Sequence, residues 1–254
     1  TGSLSRTDPV DLDAGDLMTT LTATTGGVTL GQVVNGVGNT TLAVDVGTSN
    51  DLDLSNAAND LSQLRILASN NATVVDSTNL RLGASTVSGN LDVSVENVGP
   101  VADDLAQFGA LEVVGTTTLN AGGGRIALTN SENDFQGAVS VSEASGINAV
   151  QLTDKNNLLL GTVTLPTTIS NRLSLNAGGT ITQNDSLQVR TLRVNASGAV
   201  TLDDSGNALG RLAESSAAGF TLNDSNGGLS VVGNVTSTGA TTITTAGGSL
   251  DLGT

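Results

Sequence analysis

Carboxylates and the amides beside them are the residues of this sequence that could bind a metal. They cluster in four places: Asp8/Asp11/Asp13/Asp16, Asn50/Asp51/Asp53, Asp203/Asp204 and Asn223/Asp224. Such oxygens in turns are the ligands that Ca²⁺ takes. The clusters do not match the Gly-Gly-x-Gly-x-Asp nonapeptide of calcium-binding repeats. We therefore predict solvated turns and no cofactor, with calcium at Asp203, Asp204 and Asp224 as the alternative.

Paired carboxylates could also act as general acid and base in a polysaccharide-cleaving enzyme. The candidate pairs are Asp103/Asp104 and Asp203/Asp204. The nine basic residues are scattered, and four of them are not grouped with either pair: Lys155, Arg172, Arg190 and Arg193. Sugar-binding clefts commonly use Trp and Tyr, and the chain has neither. The sequence favours a protein that is not an enzyme, with a polysaccharide-active enzyme as a remote alternative.

Three asparagines recur at one fixed spacing. The residue numbers of Asn59, Asn133 and Asn207 differ by 133 − 59 = 74 and 207 − 133 = 74, and those of Gly124 and Gly198 by the same 198 − 124 = 74. Asn at equivalent bends of a solenoid either stacks as an internal amide ladder or satisfies its own bend. Gly and Asn also tolerate the φ > 0 conformations that we expect at such corners. We predict a structural role as turn or ladder residues for all five.

Aspartates follow these asparagines and extend the repeat. The residue numbers of Asp76, Asp154 and Asp224 exceed those of the asparagines by 76 − 59 = 17, 154 − 133 = 21 and 224 − 207 = 17. The longer middle step predicts a four-residue insertion around Ser142 to Asn148, of the kind that a solenoid loop tolerates. An Ala-Gly-Gly motif at 121–123, 177–179 and 246–248 supports the same register.

Short alternating runs must position these residues. From Leu17 onward, runs of three to five residues with a period of two are separated by Gly, Asn, Asp or Ser, which predicts short strands. One segment, Val101 to Phe108, is a helix candidate and part of a small insertion near 100–110. Residues 1–16 lack clear alternation and are predicted to form an acidic lead-in or a frayed edge.

Composition limits both the core and the partners. The chain is 37% hydrophobic but 1% aromatic, so Leu, Val, Ile and Ala must fill a narrow, regular interior, with Phe135 and Phe220 inside and Phe108 as a candidate contact. The net charge of −15 argues against nucleic acid and anionic membranes. The chain has no Cys and no His, and no apolar run is long enough to be read as a membrane span. The start at Thr1 suggests a mature or excised piece of a longer protein.

Together these patterns predict an all-β parallel β-helix, or β-solenoid. Identical short strands laid parallel about 4.8 Å apart complete each other's hydrogen bonds and bury continuous aliphatic ladders. The repeat domain covers 17–254 as a single elongated domain, with higher-order repeats anchored near residues 59, 133 and 207. Coils of roughly 20 residues predict about 12 coils and a rod on the order of 60 Å. Strand edges at the two ends need a cap, a neighbouring segment or another copy.

Three stretches carry a resemblance to a known family. They are Leu-Asn-Ala-Gly-Gly with a following Ile, Val-Thr-Leu-Asp-Asp-Ser-Gly-Asn-Ala-Leu-Gly, and Gly-Asn-Val-Thr-Ser-Thr-Gly-Ala-Thr-Thr-Ile at 233–243. There the chain resembles the central repeats of filamentous-haemagglutinin-like exoproteins, which are large bacterial surface proteins often secreted by the two-partner pathway. The resemblance covers roughly Leu17 to the C-terminus. It implies a right-handed parallel β-helix and no catalytic residues.

The resemblance also implies a function and a location. We expect a structural stalk or fibre segment of an adhesin-like protein, outside the cell or on the bacterial cell surface. The alternative is a self-assembling filament or sheath subunit whose coils stack end to end. Expected partners are adjoining repeat segments or further copies at the open ends, with host-surface or cell–cell contacts, and neither nucleic acid nor membrane insertion.

Overall fold

The fold is an all-β solenoid of parallel strands. The structure, a computed structural model, describes residues 4–12, 18–23, 25–35, 40–96, 103–143, 149–167, 171–225 and 227–252. In these residues there are no helices, and the strands stack through about 10 turns, called coils below. The predicted fold class is therefore confirmed.

The strands are short and numerous, as the alternating runs predict. Their bounds are β1 Leu4–Leu12, β2 Met18–Thr22, β3 Val28–Asn35, β4 Thr41–Asp45, β5 Leu52–Leu54, β6 Gln63–Ala68, β7 Ala72–Asp76, β8 Leu80–Leu82, β9 Ser85–Val87, β10 Leu91–Val95, β11 Asp103–Gln107, β12 Leu111–Val113, β13 Thr117–Asn120, β14 Arg125–Leu128, β15 Asp134–Phe135, β16 Val139–Ser142, β17 Ala149–Asp154, β18 Leu158–Thr164, β19 Arg172–Ala177, β20 Ile181–Gln183, β21 Leu187–Ala196, β22 Ala199–Leu202, β23 Ala208–Leu212, β24 Ser215–Ala217, β25 Gly219–Asp224, β26 Leu229–Val231, β27 Val235–Ser237, β28 Thr241–Thr245 and β29 Leu250–Asp251.

Each strand pairs in parallel with the strand one coil away. One stack runs β1, β3, β5, β7, β10, β13 and β16. A second runs β2, β4, β6, β8, β11, β14, β17, β19 and β21. A third contains β20, β22, β25 and β28, and β9, β12 and β15 form a separate short sheet. The stacks share β18 and β21, two long strands that each pair with more than one neighbouring strand.

Alternation along each strand builds the core. In β5 the side chains of Leu52 and Leu54 are buried, while Asp53 between them is half-buried on the outside. Fully burying such an aliphatic side chain contributes about 1.5–3 kcal/mol. Phe135 and Phe220 lie inside, each 1% exposed, whereas Phe108 is 42% exposed and its ring centroid lies 5.6 Å from the Arg81 guanidinium.

The coils vary in length, which explains why there are fewer than the sequence suggests. Val28 pairs with Leu52, a step of 52 − 28 = 24 in residue number, and Leu91 pairs with Thr117, a step of 117 − 91 = 26. Only some steps are as short as Ala72 to Leu91, where 91 − 72 = 19. The uniform, shorter coil length assumed from the sequence therefore overestimates the number of coils.

The 74-residue repeat is not a whole number of coils. Leu128 pairs with Leu152, Leu152 with Leu175, and Leu175 with Val194. Three coils after Leu128 the chain has therefore reached Val194, whose residue number falls 202 − 194 = 8 short of Leu202, the partner of Leu128 in the repeat. The remaining segment carries the chain about a third of a coil further.

The preceding copy behaves in the same way. Leu54 reaches Leu119 in three coils through Val74 and Val93, and the residue number of Leu119 falls 128 − 119 = 9 short of Leu128. Each copy of the repeat is thus rotated about the solenoid axis by about one third of a coil relative to the copy before it. Asn59, Asn133 and Asn207 consequently lie on different sides of the solenoid and cannot form one amide ladder.

Predictions for the helix candidate, the lead-in and the insertions can also be compared with the structure. The helix candidate is wrong, because Asp103–Gln107 forms β11, a strand that pairs with β8 and β14 and whose buried Leu105 continues the aliphatic stack. Residues 4–12, within the predicted lead-in, form β1 and pair with β3. Residues 100–102 of the predicted insertion near 100–110, and 144–148 of the one around Ser142 to Asn148, lie outside the described residues.

The corners also differ from the prediction in their backbone. Among the described residues no residue other than Gly has a positive φ, and the positive-φ glycines are Gly26, Gly47, Gly122, Gly123, Gly227 and Gly247. Neither the repeated asparagines nor Gly124 and Gly198 adopt the left-handed conformation, so the expectation of φ > 0 there is wrong. Side-chain hydrogen bonds shape these corners instead.

Candidate functional site

The three repeated asparagines occupy equivalent buried corners. Each is 0% exposed, and each side-chain amide donates both to the backbone carbonyl five residues earlier and to a carbonyl of the following coil. The pairs of acceptors are Leu54 and Val75 for Asn59, Leu128 and Thr153 for Asn133, and Leu202 and Asn223 for Asn207. Each asparagine therefore ties its own bend to the next coil.

A second Asx residue shapes the same bend three residues earlier. The side-chain oxygens of Asn56, Asn130 and Asp204 accept the backbone N–H two residues further on, at 2.8, 2.9 and 2.7 Å. The residue numbers again differ by 130 − 56 = 74 and 204 − 130 = 74. Asp204 thus takes the place that an Asn has in the other two copies, and its role there is to form a turn.

Two corners also contain a reciprocal pair of amides. Asn133 Oδ1 accepts from Gln107 Nε2 at 2.8 Å, and Asn133 Nδ2 donates to Gln107 Oε1 at 3.0 Å. Asn207 and Gln183 exchange the same two hydrogen bonds at 2.9 and 3.0 Å. The same Oδ1 atoms accept the backbone N–H of Leu111 and Leu187. These two asparagines therefore join three successive coils.

Buried aspartates complete each corner from the following coil. Asp76, Asp154 and Asp224 are 0%, 1% and 0% exposed. They accept the backbone N–H two residues after each asparagine, from Leu61 at 2.6 Å, Phe135 at 2.7 Å and Leu209 at 2.9 Å. We call each set of one asparagine and one aspartate an Asn–Asp corner: Asn59/Asp76, Asn133/Asp154 and Asn207/Asp224.

Burial changes the ionisation of Asp76 and Asp154. Desolvation raises the pKa of Asp76 to about 6, although hydrogen bonds from the backbone of Leu61 and Thr78 oppose the shift. Desolvation also raises the pKa of Asp154, against hydrogen bonds from the backbone of Phe135 and Asn156. These carboxylates favour their protonated form more than exposed ones do.

Glu143 acts as a similar clamp at the first Ala-Gly-Gly motif. It is 1% exposed and accepts the backbone N–H of Ala121 and, at 2.7 Å, that of Gly123. Desolvation raises its pKa, and the charge of Asp104 adds to the effect. The motif copies differ in backbone, since Gly122 and Gly123 have φ of 57° and 99° whereas Gly178 and Gly179 do not have a positive φ.

The two predicted glycines are required by close packing. A Cβ on Gly124 would lie 1.4 Å from Oδ2 of Asp104, and one on Gly198 would lie 2.9 Å from the carbonyl oxygen of Gly179. Both values are shorter than any normal contact. These positions therefore need a residue without a side chain because a neighbouring coil occupies the space.

The three calcium candidates, Asp203, Asp204 and Asp224, have different surroundings. Asp203 is exposed, Asp204 accepts the N–H of Gly206, and Asp224 is buried against Leu209. No group of three or more acidic side chains in the described part of the chain is arranged to hold a metal ion. The geometry of Asp204 and Asp224 is that of a turn and a corner.

Asp104 is the member of the candidate acid–base pair Asp103/Asp104 whose side chain the structure describes. Asp104 is 1% exposed with Oδ2 3.2 Å from the backbone nitrogen of Arg125, and the side chain of Asp103 lies outside the description. Of the basic residues, Lys155 forms an ion pair with Asp134 at 2.9 Å. Three arginines are not scattered as the sequence suggested, because Arg172, Arg190 and Arg211 line one surface groove of about 360 Å³.

Several corner residues were missed from the sequence. Asn171, 0% exposed, donates to the carbonyl of Pro166 five residues earlier, so it repeats the asparagine geometry outside the 74-residue register. The spacing of Gln107 and Gln183 in the sequence could have indicated their role. Each comes four positions before a buried Leu, and the steps to the next repeat asparagine are similar, 133 − 107 = 26 and 207 − 183 = 24. Glu143 is not part of a repeated pattern, so nothing in the sequence indicated its role.

Comparison with known proteins identifies the repeat. No curated protein and no solved structure matches the chain. Within the described residues there is no helix that is long and apolar enough to cross a membrane. A family model described as repeats of unknown function (DUF5649) matches residues 69–142 and 147–216.

The matches agree with the repeat in the structure. The residue numbers of their C-terminal ends differ by 216 − 142 = 74, and residues 143–146 lie between the two matches, within the predicted insertion. The two matches together cover more than half of the chain. The chain therefore belongs to the family of repeats of unknown function, DUF5649.

Proposed function

We propose that this chain is a structural stalk or fibre segment, without enzymatic activity, of an adhesin-like bacterial protein of the filamentous-haemagglutinin type. The observation that carries the proposal is the set of Asn–Asp corners. Their buried amides and carboxylates hydrogen-bond to the backbone of neighbouring coils, as Asn133 does to Leu111 and Thr153. Groups used in this way hold coils together and are not available to a substrate.

The surface supports the same role. Outward positions of the strands carry Thr, Ser, Asn and Asp, such as Thr182, Thr201 and Thr221 in one column across β20, β22 and β25. Thr keeps β propensity without presenting an apolar surface. A rod of this kind offers little apolar surface for non-specific association and displays whatever adjoins it.

The proposed location is the cell surface or the extracellular medium. An antibody against the chain should label intact cells of the source bacterium or detect the protein in the medium. Labelling that appears only after permeabilisation would contradict the proposal. A strain that lacks the gene provides the control.

The alternative function is a filament whose subunits stack end to end, and it is motivated by the exposed end of the solenoid. In the last described coil, apolar side chains that would face a further coil are exposed, with Leu250 at 38% and Leu252 at 67%. The outer edges of β28 and β29 pair with no strand among the described residues. A continuing repeat segment or a second copy would cover them. Electron microscopy of the purified chain distinguishes the two, because a filament subunit gives long uniform fibres and a stalk segment gives short separate rods.

A further inference from the structure

An unusual concentration of positive charge lies on β19, β21 and β23. Four of the nine basic residues are found there: Arg172, Arg190, Arg193 and Arg211. All four are exposed. In a chain of net charge −15, this strip is a local reversal of sign.

Three of these arginines share one groove without an acidic neighbour in its wall. Arg172, Arg190 and Arg211 line it together with Thr191, Ala213 and Val232. Within the described residues none of the three forms an ion pair. Three positive charges in one groove repel each other, so an external anion would stabilise the groove.

The arginines form a column with a defined spacing. Arg172 pairs with Thr191 on the next coil, and Thr191 pairs with Arg211 on the coil after that. The order along the axis is therefore Arg, Thr, Arg. At about 4.8 Å per coil, the two charges are about 10 Å apart.

The same molecule carries an acidic column with the same order. Asp53 pairs with Thr73, and Thr73 pairs with Asp92 on the following coil, which gives Asp, Thr, Asp. Asp53 and Thr73 line a second groove, of about 580 Å³, whose wall also holds Asp51 and Asn71. Asp53 lies in this recess and Asp92 is exposed beyond it, so the long side chains of arginine could reach both.

We propose that the arginine column, Arg172/Thr191/Arg211, binds the aspartate column, Asp53/Thr73/Asp92, of a second copy of this chain. The two columns have opposite charge, and in each column the two charges are two coils apart. Both arginines can therefore face an aspartate at the same time. Arg also forms paired hydrogen bonds with a carboxylate.

The position of the columns determines the kind of assembly. They lie on different strand stacks and at different heights, since Asp53 is in β5 and Arg172 is in β19. The contact therefore joins unlike surfaces and leaves one column of each copy free. Rods would associate side by side with a stagger, and the assembly stays open to further copies. This lateral contact is distinct from the stacking of coil ends.

The contact should be weak and sensitive to charge. Its ion pairs are exposed to solvent, which screens their attraction. At an ionic strength of about 0.1 M the screening length is about 10 Å, so distant repulsion between the two anionic rods is reduced more than contact pairs are. Sedimentation velocity at this ionic strength, over a series of protein concentrations, measures the association.

Charge reversal tests the pairing. The variants Arg172→Glu/Arg211→Glu and Asp53→Lys/Asp92→Lys should each remain monomeric where the wild type associates. An equimolar mixture of the two should associate again, because each then offers a column of opposite sign to the other. The control Arg65→Glu/Arg81→Glu carries the same change in net charge as the arginine variant, outside the column, and should behave like the wild type.

Several results would overturn the proposal. They are a wild type that stays monomeric at every concentration, reversal variants that associate as the wild type does, and a mixture that fails to restore association. Arginine-dependent binding of polyglutamate by a monomeric wild type would assign the groove to another acidic partner and reject self-association. Circular dichroism melting of each variant shows that a loss of association is not a loss of fold.

Discussion

The Oδ1 atom of Asn133 lies 2.9 Å from the backbone nitrogen of Leu111, one coil earlier, and both residues are 0% exposed. Its Nδ2 atom donates to the carbonyl of Thr153, one coil later. One side chain thus satisfies backbone groups on both sides of its own coil. The solenoid is held together by such corners as well as by its aliphatic core.

Removing Asn133 should therefore destabilise the rod. The variant Asn133→Ala leaves the buried N–H of Leu111 without its acceptor, and a buried group without a partner costs about 1–3 kcal/mol. With the other lost bonds, we expect the free energy of unfolding to fall by about 3 kcal/mol in urea denaturation. Thr129→Ala, exposed on the same bend, should change it by less than about 0.5 kcal/mol. Equal effects of the two substitutions would contradict the role of the corner.

Stability should decrease as pH rises through the range in which Asp76, Asp154 and Glu143 ionise. The folded pKa of Asp76 is about 6 and its ordinary value is 3.8, so the folded protein binds the proton more tightly than the unfolded chain. The stabilisation is full below pH 3.8 and is lost as pH rises through about 6, at a total cost of about 3 kcal/mol. The raised pKa of Asp154 and of Glu143 acts in the same direction.

Urea unfolding between pH 5 and pH 8 measures this effect. The wild type should be more stable at pH 5, and Asp76→Asn should reduce the dependence on pH. Asp203→Asn removes a charge from an exposed turn residue and should leave the dependence as it is in the wild type. A wild type that gains stability towards pH 8 would show that the carboxylates are not buried as described.

Close packing at Gly124 predicts a large effect of a single methyl group. Gly124→Ala places a Cβ on the carboxylate of Asp104 and must displace it, so we expect a loss of about 1–3 kcal/mol. Gly219 is the matched control, since a Cβ there meets nothing closer than 3.7 Å. Gly219→Ala should be neutral or stabilising by a few tenths of a kcal/mol. Thermal unfolding of both variants makes the comparison, and a stable Gly124→Ala variant would refute the contact.

The turn geometry of Asp204 predicts that calcium has no effect on stability. Asn occupies the equivalent place at position 130, so Asp204→Asn should preserve both the turn and the free energy of unfolding. Asp204→Ala should cost about 1 kcal/mol through the lost hydrogen bond. Millimolar Ca²⁺ or EDTA should leave the melting temperature of the wild type unchanged. A rise with Ca²⁺ that Asp204→Asn abolishes would revive the calcium alternative.

The fold could be predicted from sequence because its signal is local and repeated. Two inward aliphatics per short run, as in Leu52-Asp53-Leu54, define a strand and its buried face, and the recurrence of Asn133 at 207 defines the repeat. Parallel stacking then follows from the need to pair each short strand.

The arrangement around the axis could not be predicted, because it depends on summed coil lengths. Coils of unequal length, with steps such as 117 − 91 = 26 and 91 − 72 = 19, place Asn59, Asn133 and Asn207 on different sides, whereas the sequence left open both a ladder and a bend for these residues. The grouping of Arg172 with Arg211 was hidden for the same reason, since these arginines come together only when two coils are counted correctly.

The error at residues 103–107 has a local cause. A short polar run with two aspartates resembles the first turn of a helix, where acidic side chains are favoured. Leu105 instead fits the bore of the solenoid and is 0% exposed, so pairing with the neighbouring coils determines the conformation.

A 74-residue unit with an Asn–Asp corner builds the rod in steps of about three and a third coils. Deleting residues 133–206 joins Glu132 to Asn207 and removes one complete unit, because Asn207 takes the place of Asn133. Small-angle X-ray scattering should show a folded rod of unchanged cross-section whose maximum dimension is shorter by about 16 Å, at about 4.8 Å per coil. An unfolded chain, or a particle whose maximum dimension does not change, would contradict the account.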